Sequence, residues 1–319
     1  MGLGKTIINI LQLTRIEHSI IGVVGAITGA LIAYALEGVN ESLPTVFLHT
    51  IYGAWVPFLI IAGSFALNDV YDLEVDKTNQ RFDRPLARGE LNPVLTKWAS
   101  WGCIFLGVVM SLAFRLPLFL LSAAFAVAAV TYNIKLKDSG IPGNLTVAAC
   151  YAAPWAMGGL YVENYLILNG IYTGLAQTTI QALIILIGVA FIGGFGREVL
   201  KGLQDIEGDA LRDTLTLART RGPRFAAYVS AICLTTMLIL MGLPILPNAV
   251  FAYNTLPGLV YILIAIPSAC FIIYVTIKIL SKPESRPVAK MARNLSLIGF
   301  ILIFTAFLMG ALMLTNPYL

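Results

Sequence analysis

The sequence predicts an all-α, polytopic membrane protein: nine transmembrane helices around an apolar chamber, in a single domain over residues 1–319. Three observations predict it. Of 319 residues 58% are apolar and 12% charged, about half the charged share of an average soluble domain, and the mean hydropathy is +0.83. The apolar residues fall into runs of about 20, the length a helix needs to cross a bilayer. And 20 of the 21 Lys and Arg residues lie in alternate loops. A water-soluble chain of this composition would expose large apolar patches. A soluble enzyme, a disordered chain and a disulfide scaffold are therefore excluded, and the net charge of +4 is too mild to argue for nucleic acid.

The runs cover 16–36, 47–69, 94–114, 117–134, 145–163, 180–199, 223–243, 256–279 and 293–314. They are too long and unbroken for barrel strands, so each is read as a helix. Prolines 57, 154, 244 and 267 lie in or near these runs and mark possible kinks. The first run follows Lys5 and Arg15. The loop after the second carries Lys77, Arg81, Arg84, Arg88 and Lys97, and the loop after the fourth Lys135 and Lys137. The loop after the sixth, with its helix ends, carries Arg197, Lys201, Arg212, Arg219, Arg221 and Arg224. The loop after the eighth, with its helix ends, carries Lys278, Lys282, Arg286, Lys290 and Arg293. Only Arg115 faces the other way. By the positive-inside rule the N-terminus and these loops are cytoplasmic and the C-terminus lies outside. A missed span would break this alternation.

Most acids follow the same side. Asp69, Asp72, Glu74, Asp76, Asp83 and Glu90 close the second run; Glu198, Asp205, Glu207, Asp209 and Asp213 close the sixth. If the second run continues as helix, Asn68, Asp72 and Asp76 share one face at i, i+4, i+8, with Asp69 beside them. Lys201, Asp205, Asp209 and Asp213 share a face by the same spacing. Asp72-Leu-Glu-Val-Asp76 and Asp205-Ile-Glu-Gly-Asp209 match as D-[LI]-E-x-D, four helices apart, which suggests a duplicated four-helix unit. Stacked carboxylates repel, and a cation relieves them. All-oxygen sites of this kind suit Mg²⁺ shared with a substrate's phosphates, with nearby Arg and Lys completing an anion site. The alternative is a solvated, charged helix end; two matching copies on one membrane face argue against it. The candidate loops are 70–93 and 200–222.

Other signals carry less. Cys103, Cys150, Cys233 and Cys270 sit singly in apolar runs and read as core residues. Residues 1–19 lack a basic stretch, apolar run and small-residue cleavage site, so no cleavable leader is expected. Gly2-Leu-Gly4-Lys5-Thr6 imitates part of a phosphate loop without its upstream glycine and strand. The myristoylation pattern M-G-x-x-x-[ST] over the same residues would add little to a polytopic protein. His18 and His49 show no metal-ligand spacing. Gly25-x-x-x-Gly29 suits close helix packing or a lipid portal. A transporter would place ionisable groups near the bilayer midplane, whereas these acids hug one interface.

Asn68-Asp69-x-x-Asp72-x-x-x-Asp76, followed by Arg84-Pro85-Leu86 and Gly89, resembles the first signature of the UbiA superfamily of intramembrane prenyltransferases. Asp205-x-x-x-Asp209 is similar to its second, and the likeness runs over essentially the whole chain. The resemblance implies Mg²⁺ held at Asn68, Asp69, Asp72, Asp76, Asp205 and Asp209. It implies a polyprenyl diphosphate bound there, ionising to an allylic cation that a lipophilic acceptor captures. It implies Tyr132 facing the cation, or serving as an interfacial aromatic, with Asp72, Asp76, Asp205 and Asp209 catalytic. Arg15, Arg81, Arg84, Lys135 and Lys201 are the implied diphosphate ligands; Lys135 and Lys137 also read as interfacial anchors, as does Arg88. The second motif looks most like the archaeal branch that joins geranylgeranyl diphosphate to geranylgeranylglyceryl phosphate for ether lipids. Prenylation of an aromatic acceptor, for quinone, chlorophyll or haem-type synthesis, stays open. No protein partner is expected.

Overall fold

The computed structural model describes residues 2–38, 43–78, 80–171, 174–206 and 213–315. Its elements are α1 (Leu3–Leu13), α2 (Ile16–Leu36), α3 (Leu43–Tyr71), α4 (Leu73–Thr78), α5 (Pro93–Met110), α6 (Leu116–Thr131), α7 (Ile141–Leu168), α8 (Gln177–Gln204), α9 (Leu217–Thr220), α10 (Pro223–Gly242), α11 (Leu256–Ser281) and α12 (Arg286–Leu314). Among the described residues nine helices are long and apolar enough to cross a membrane. They coincide with the nine predicted spans. Most run a few residues past the apolar runs, because α-helix continues into the polar interface. Proline supplies many of the starts, where its missing N–H costs nothing. Pro93 follows Asn92, whose side chain caps the amides of Val94 and Leu95 at 2.9 and 3.1 Å. Pro257 follows Thr255, which caps Gly258 at 3.2 Å. Pro57, Pro154 and Pro267 lie inside α3, α7 and α11.

The helices pack around two apolar clusters. The larger joins α8, α10, α11 and α12, with Leu31 and Ile32 of α2 and Trp155 of α7. The smaller joins α3, α5 and α6 with Ala26 of α2 and Ala153, Met157 and Tyr161 of α7. α2 and α7 therefore belong to both. They touch backbone to backbone: a Cβ on Gly29 would stand 2.3 Å from the Trp155 carbonyl oxygen, and one on Gly158 2.1 Å from that of Ala26. The Gly25-x-x-x-Gly29 stripe thus serves close packing. Hydroxyls add interhelical bonds, Ser230 to the Gly196 carbonyl at 2.9 Å and Ser268 to that of Gly299 at 2.6 Å. The outer faces carry Trp98, Phe105, Val127 and Leu263, each about two-thirds exposed or more; only lipid satisfies such a surface.

Two elements were not predicted, the single turn α9 and the longer α1. Residues 3–13 form α1, whose Ile7, Ile8, Ile10 and Leu11 are exposed while Asn9 and Leu13 are buried. At 11 residues it is too short for a search based on runs of 20. It turns into α2 at Arg15, which takes a left-handed φ of 42°.

Candidate active site at the end of the bundle

The first acidic stripe is nearly continuous helix. α3 ends at Tyr71 and α4 starts at Leu73, yet the amide of Asp72 donates to Asn68 (2.9 Å) and that of Asp76 to Asp72 (2.8 Å). The i, i+4, i+8 register therefore survives the break. Asp69 and Asp76 are buried and Asp72 half-buried. One guanidinium gathers them: Nη1 of Arg84 lies 3.3 Å from Asp69, 3.5 Å from Asp72 and 2.5 Å from Asp76. Arg15 adds a contact to Asp69 at 3.4 Å and stands over the ring of Phe65 at 4.7 Å. Asn68 donates to Asp72 at 3.0 Å, and Lys137 also bonds Asp72. Three carboxylates thus meet three cations, which is how buried charge becomes tolerable.

The loop after α4 explains the Arg-Pro-Leu-x-x-Gly spacing. Arg84 reaches inward. Pro85 fixes the turn, and its carbonyl takes the amide of Glu90 at 3.1 Å. Leu86 plugs between Leu13 and Ala66. Gly89 supplies a left-handed φ of 74°, which residues with a Cβ adopt at a cost. Arg88 then ties this loop to α1. Its Nε donates to Glu90 (3.0 Å), its Nη1 to the carbonyls of Phe82 (2.9 Å) and Asp83 (3.1 Å), and its Nη2 to Asn9 (3.2 Å) and Gln12 (2.9 Å). Lys5 completes the clasp on Glu90 at 2.7 Å. Arg88 is thus a positioning group for the loop that carries Arg84.

Several expected residues stand elsewhere. Arg81 turns outward to Asp83 at 3.2 Å, and its hydrogen bond holds the Asp83 carboxyl below its ordinary value. Lys135 is exposed and Lys137 occupies the place on Asp72. The reason is a π-turn over Tyr132–Leu136 at the end of α6, which widens the helix and changes which residues face inward. Asn133 pins this turn to α3 through the Ser64 carbonyl (2.9 Å) and hydroxyl (3.1 Å). Tyr132 is half-buried, within electrostatic reach of Glu198, Lys201 and Tyr151. Lys201 pairs with buried Glu198 at 2.6 Å.

The second stripe is not one helical face. α8 ends at Gln204, and Asp205 caps it with φ −104° and ψ 15°, its side chain exposed. Asp213 has a left-handed φ of 55° and pairs with Arg219 at 2.6 Å, so it leaves the expected face. Asp209 and Glu207 lie outside the described residues. The segment after them returns to the first site: Asp138 accepts from Thr214 (2.8 Å) and from the amide of Leu215 (2.9 Å). The sequence marks Lys137 only as an interfacial anchor and Glu198 only as one of the acids closing the sixth run, and it does not single out Asp138, although Lys137 and Asp138 closely follow the Tyr-x-x-Lys segment.

Among the described residues no three Asp, Glu, His or Cys side chains are grouped to hold a metal by themselves; Arg84 fills the point where three carboxylates meet. Mg²⁺ does not require an all-protein cage. It is commonly held by one or two carboxylates together with water and substrate phosphate. Hard carboxylate oxygens beside guanidinium and ammonium groups fit that chemistry.

A family model described as the UbiA prenyltransferase family matches residues 23–304. Among curated proteins, the digeranylgeranylglyceryl phosphate synthase of Metallosphaera sedula is 31% identical over 95% of each chain. That of Archaeoglobus fulgidus is 29% identical over 94% of each. Among solved structures, one described by the same synthase name aligns with TM-score 0.73 and 22% identity over 97% of this chain and 99% of that one. A UbiA homolog from Archaeoglobus fulgidus bound to GPP and Mg²⁺ aligns with TM-score 0.54 and 18% identity, over 94% and 99%.

Proposed function

The chain belongs to the UbiA prenyltransferase family, and from that premise we propose that it transfers a geranylgeranyl group from its diphosphate to geranylgeranylglyceryl phosphate. The C1–O bond of the donor breaks and pyrophosphate leaves with its electrons. The glycerol hydroxyl oxygen forms the new ether bond and gives up its proton. The observation that carries the reading is the near full-length likeness to archaeal digeranylgeranylglyceryl phosphate synthases. It is joined by a site of carboxylates and cations at the end of an apolar bundle.

Asp72 and Asp76, with Asn68 and Asp69, would hold Mg²⁺ on one side, and Asp205 and Asp209 on the other. Bound there, Mg²⁺ supplies Lewis-acid charge stabilisation for the leaving pyrophosphate. The protein's own groups do the rest. Arg15, Arg84 and Lys137 are cationic donors positioned for a diphosphate. Tyr132 presents an aromatic ring where positive charge develops. The bundle keeps water from an allylic cation. The N-terminus and both motif loops are assigned to the cytoplasm.

The test uses the full-length protein purified in detergent with geranylgeranyl diphosphate, Mg²⁺ and a panel of acceptors. We expect digeranylgeranylglyceryl phosphate and pyrophosphate in equal amounts, no product in EDTA, and at least a hundredfold loss in Asp72→Asn. Product in EDTA would exclude the metal assignment. Prenylation of an aromatic acceptor in place of the glyceryl phosphate would reassign the substrate.

A further inference from the structure

α1 carries its two faces the opposite way from a surface helix in water. Lys5, Asn9 and Gln12 recur at i, i+4 and i+7 and so share one face. That face turns toward the protein. Lys5 binds Glu90 at 2.7 Å, and Arg88 donates to Asn9 at 3.2 Å and to Gln12 at 2.9 Å. Asn9 is 1% exposed. The other side carries Ile7, Ile10 and Leu11, with Ile8 at its edge, and these four are 41–55% exposed. A surface helix in water hides its apolar stripe and wets its polar one.

The place of α1 in the fold says what meets the outward stripe. Leu13 anchors its end against Ala66 and Leu86. The chain then turns at Arg15 into α2, which is long and apolar enough to cross the membrane. Ile20, in the second turn of α2, is itself 50% exposed, so the apolar outer surface of the bundle continues onto α1. At 11 residues the helix is about 16 Å long, about half the thickness of a bilayer's hydrocarbon core, and cannot cross it. A short helix with one aliphatic face beside a span suits the plane of the membrane interface. A second copy of the chain fits less well. A stable dimer buries about 800 Å² on each partner, whereas one side of such a helix offers on the order of a few hundred Å². The stripe also lacks the aromatic and Arg anchors on which protein interfaces depend.

We infer that α1 lies in the membrane interface on the side of the acidic motifs, with Ile7, Ile10 and Leu11 among the lipid chains, and that this contact steadies the loop of Arg84. The path is short. Arg88 bonds Asn9 and Gln12 with one nitrogen and the carbonyls of Phe82 and Asp83 with another, at 2.9 and 3.1 Å. Arg84 comes next in the chain, and its guanidinium gathers Asp69, Asp72 and Asp76. The lipid surface is thereby joined to the carboxylate face through one arginine. Nothing in this depends on which acceptor the enzyme uses.

The test uses the full-length protein in vesicles of phosphatidylcholine and phosphatidylglycerol. With p-benzoylphenylalanine in place of Ile7, illumination is expected to give a product heavier by one lipid. A covalent dimer, or no lipid adduct, would overturn the assignment. Hydrogen exchange reads the coupling at the amides of Arg88, Gly89 and Glu90, which donate to Arg84, Leu86 and Pro85, with the amides of α8 as internal reference. The pair Ile7→Asn and Leu11→Asn should speed exchange in this loop at least fivefold. The pair Ile7→Phe and Leu11→Phe should leave it within twofold, because lipid has no fixed shape to violate. Unchanged loop exchange in the Asn pair would overturn the coupling. Equal acceleration in the Phe pair would point to a packed protein partner and overturn the choice of lipid. Neither readout involves turnover, so a chain that prenylates no glyceryl phosphate can still pass both, and the two proposals fail separately.

Discussion

Replacing Arg84 with alanine removes the cation on which three carboxylates converge. Their oxygens lie 2.5–3.5 Å from one Arg84 nitrogen, so no two are more than about 7 Å apart. At an effective dielectric of about 20, each such pair repels by about 2–3 kcal/mol. Arg15 still answers Asp69 and Lys137 still answers Asp72. Asp76, 4% exposed, is left without the cation that neutralises it. Removing one partner from a buried ion pair costs about 3–5 kcal/mol, and for a chain of this size that lowers the melting temperature by roughly 6–10 °C. The assay is thermal unfolding of wild type and Arg84→Ala in detergent, in EDTA and then in millimolar Mg²⁺. The loss should be full in EDTA and largely restored by Mg²⁺ in the variant, with a smaller effect of Mg²⁺ on wild type. An unchanged melting temperature in EDTA would refute the claim that Arg84 holds these charges together. A loss that Mg²⁺ leaves untouched would refute the claim that the same carboxylate face accepts a divalent cation.

Other outcomes follow from the packing and the clasp. Gly158→Ala drives a methyl to 2.1 Å from a backbone oxygen and should cost about 2–3 kcal/mol by overpacking, read as lost melting temperature and yield. Gly102→Ala, which meets nothing within 4 Å, should be neutral or stabilising by under about 1 kcal/mol. Arg88→Ala releases the loop that carries Arg84; a loss of about 1.4 kcal/mol in donor binding is a tenfold rise in KM, with kcat nearly unchanged in steady-state assays. Glu90 is held below its ordinary value first by the hydrogen bond from Lys5 and then by Arg88. A depressed carboxyl stabilises the folded state above its ordinary value and ceases to as pH falls through the lowered one. The protection factors of the α1 amides, which correct for the intrinsic slowing of exchange in acid, should therefore be high at neutral pH and fall as pH drops through Glu90's lowered value, while Glu90→Gln should show low protection at pH 7.

The nine spans were legible because lipid imposes a length and a polarity that side chains must obey. The Asp72–Asp76 stripe was legible because helical spacing carries across the break at Asp72, and Arg84 because its motif encodes a turn. What escaped had local causes. Lys137 replaces Lys135 through the π-turn at Tyr132–Leu136, and hydropathy does not register one widened turn. The end of α8 at Gln204 falls in a polar stretch where the period of charged residues still looks helical. Glu198 read as one more interfacial acid, yet it is 6% exposed, because Lys201 lets it stay inside. α1 is amphipathic and short, and its contribution lies in what it holds, the loop of Arg84.

The α2–α7 seam has a mechanical meaning. Backbone meets backbone at Gly29 and Gly158, and both apolar clusters draw on these two helices. A methyl added at either glycine would part the two helices, and with them both clusters, because Trp155 also lies against Gly25 in the same seam. The two halves are keyed to each other there, and the polar bonds nearer the helix ends, Asp138 to Thr214 and Leu215 and Arg15 to Asp69, add to a join that packing has already fixed.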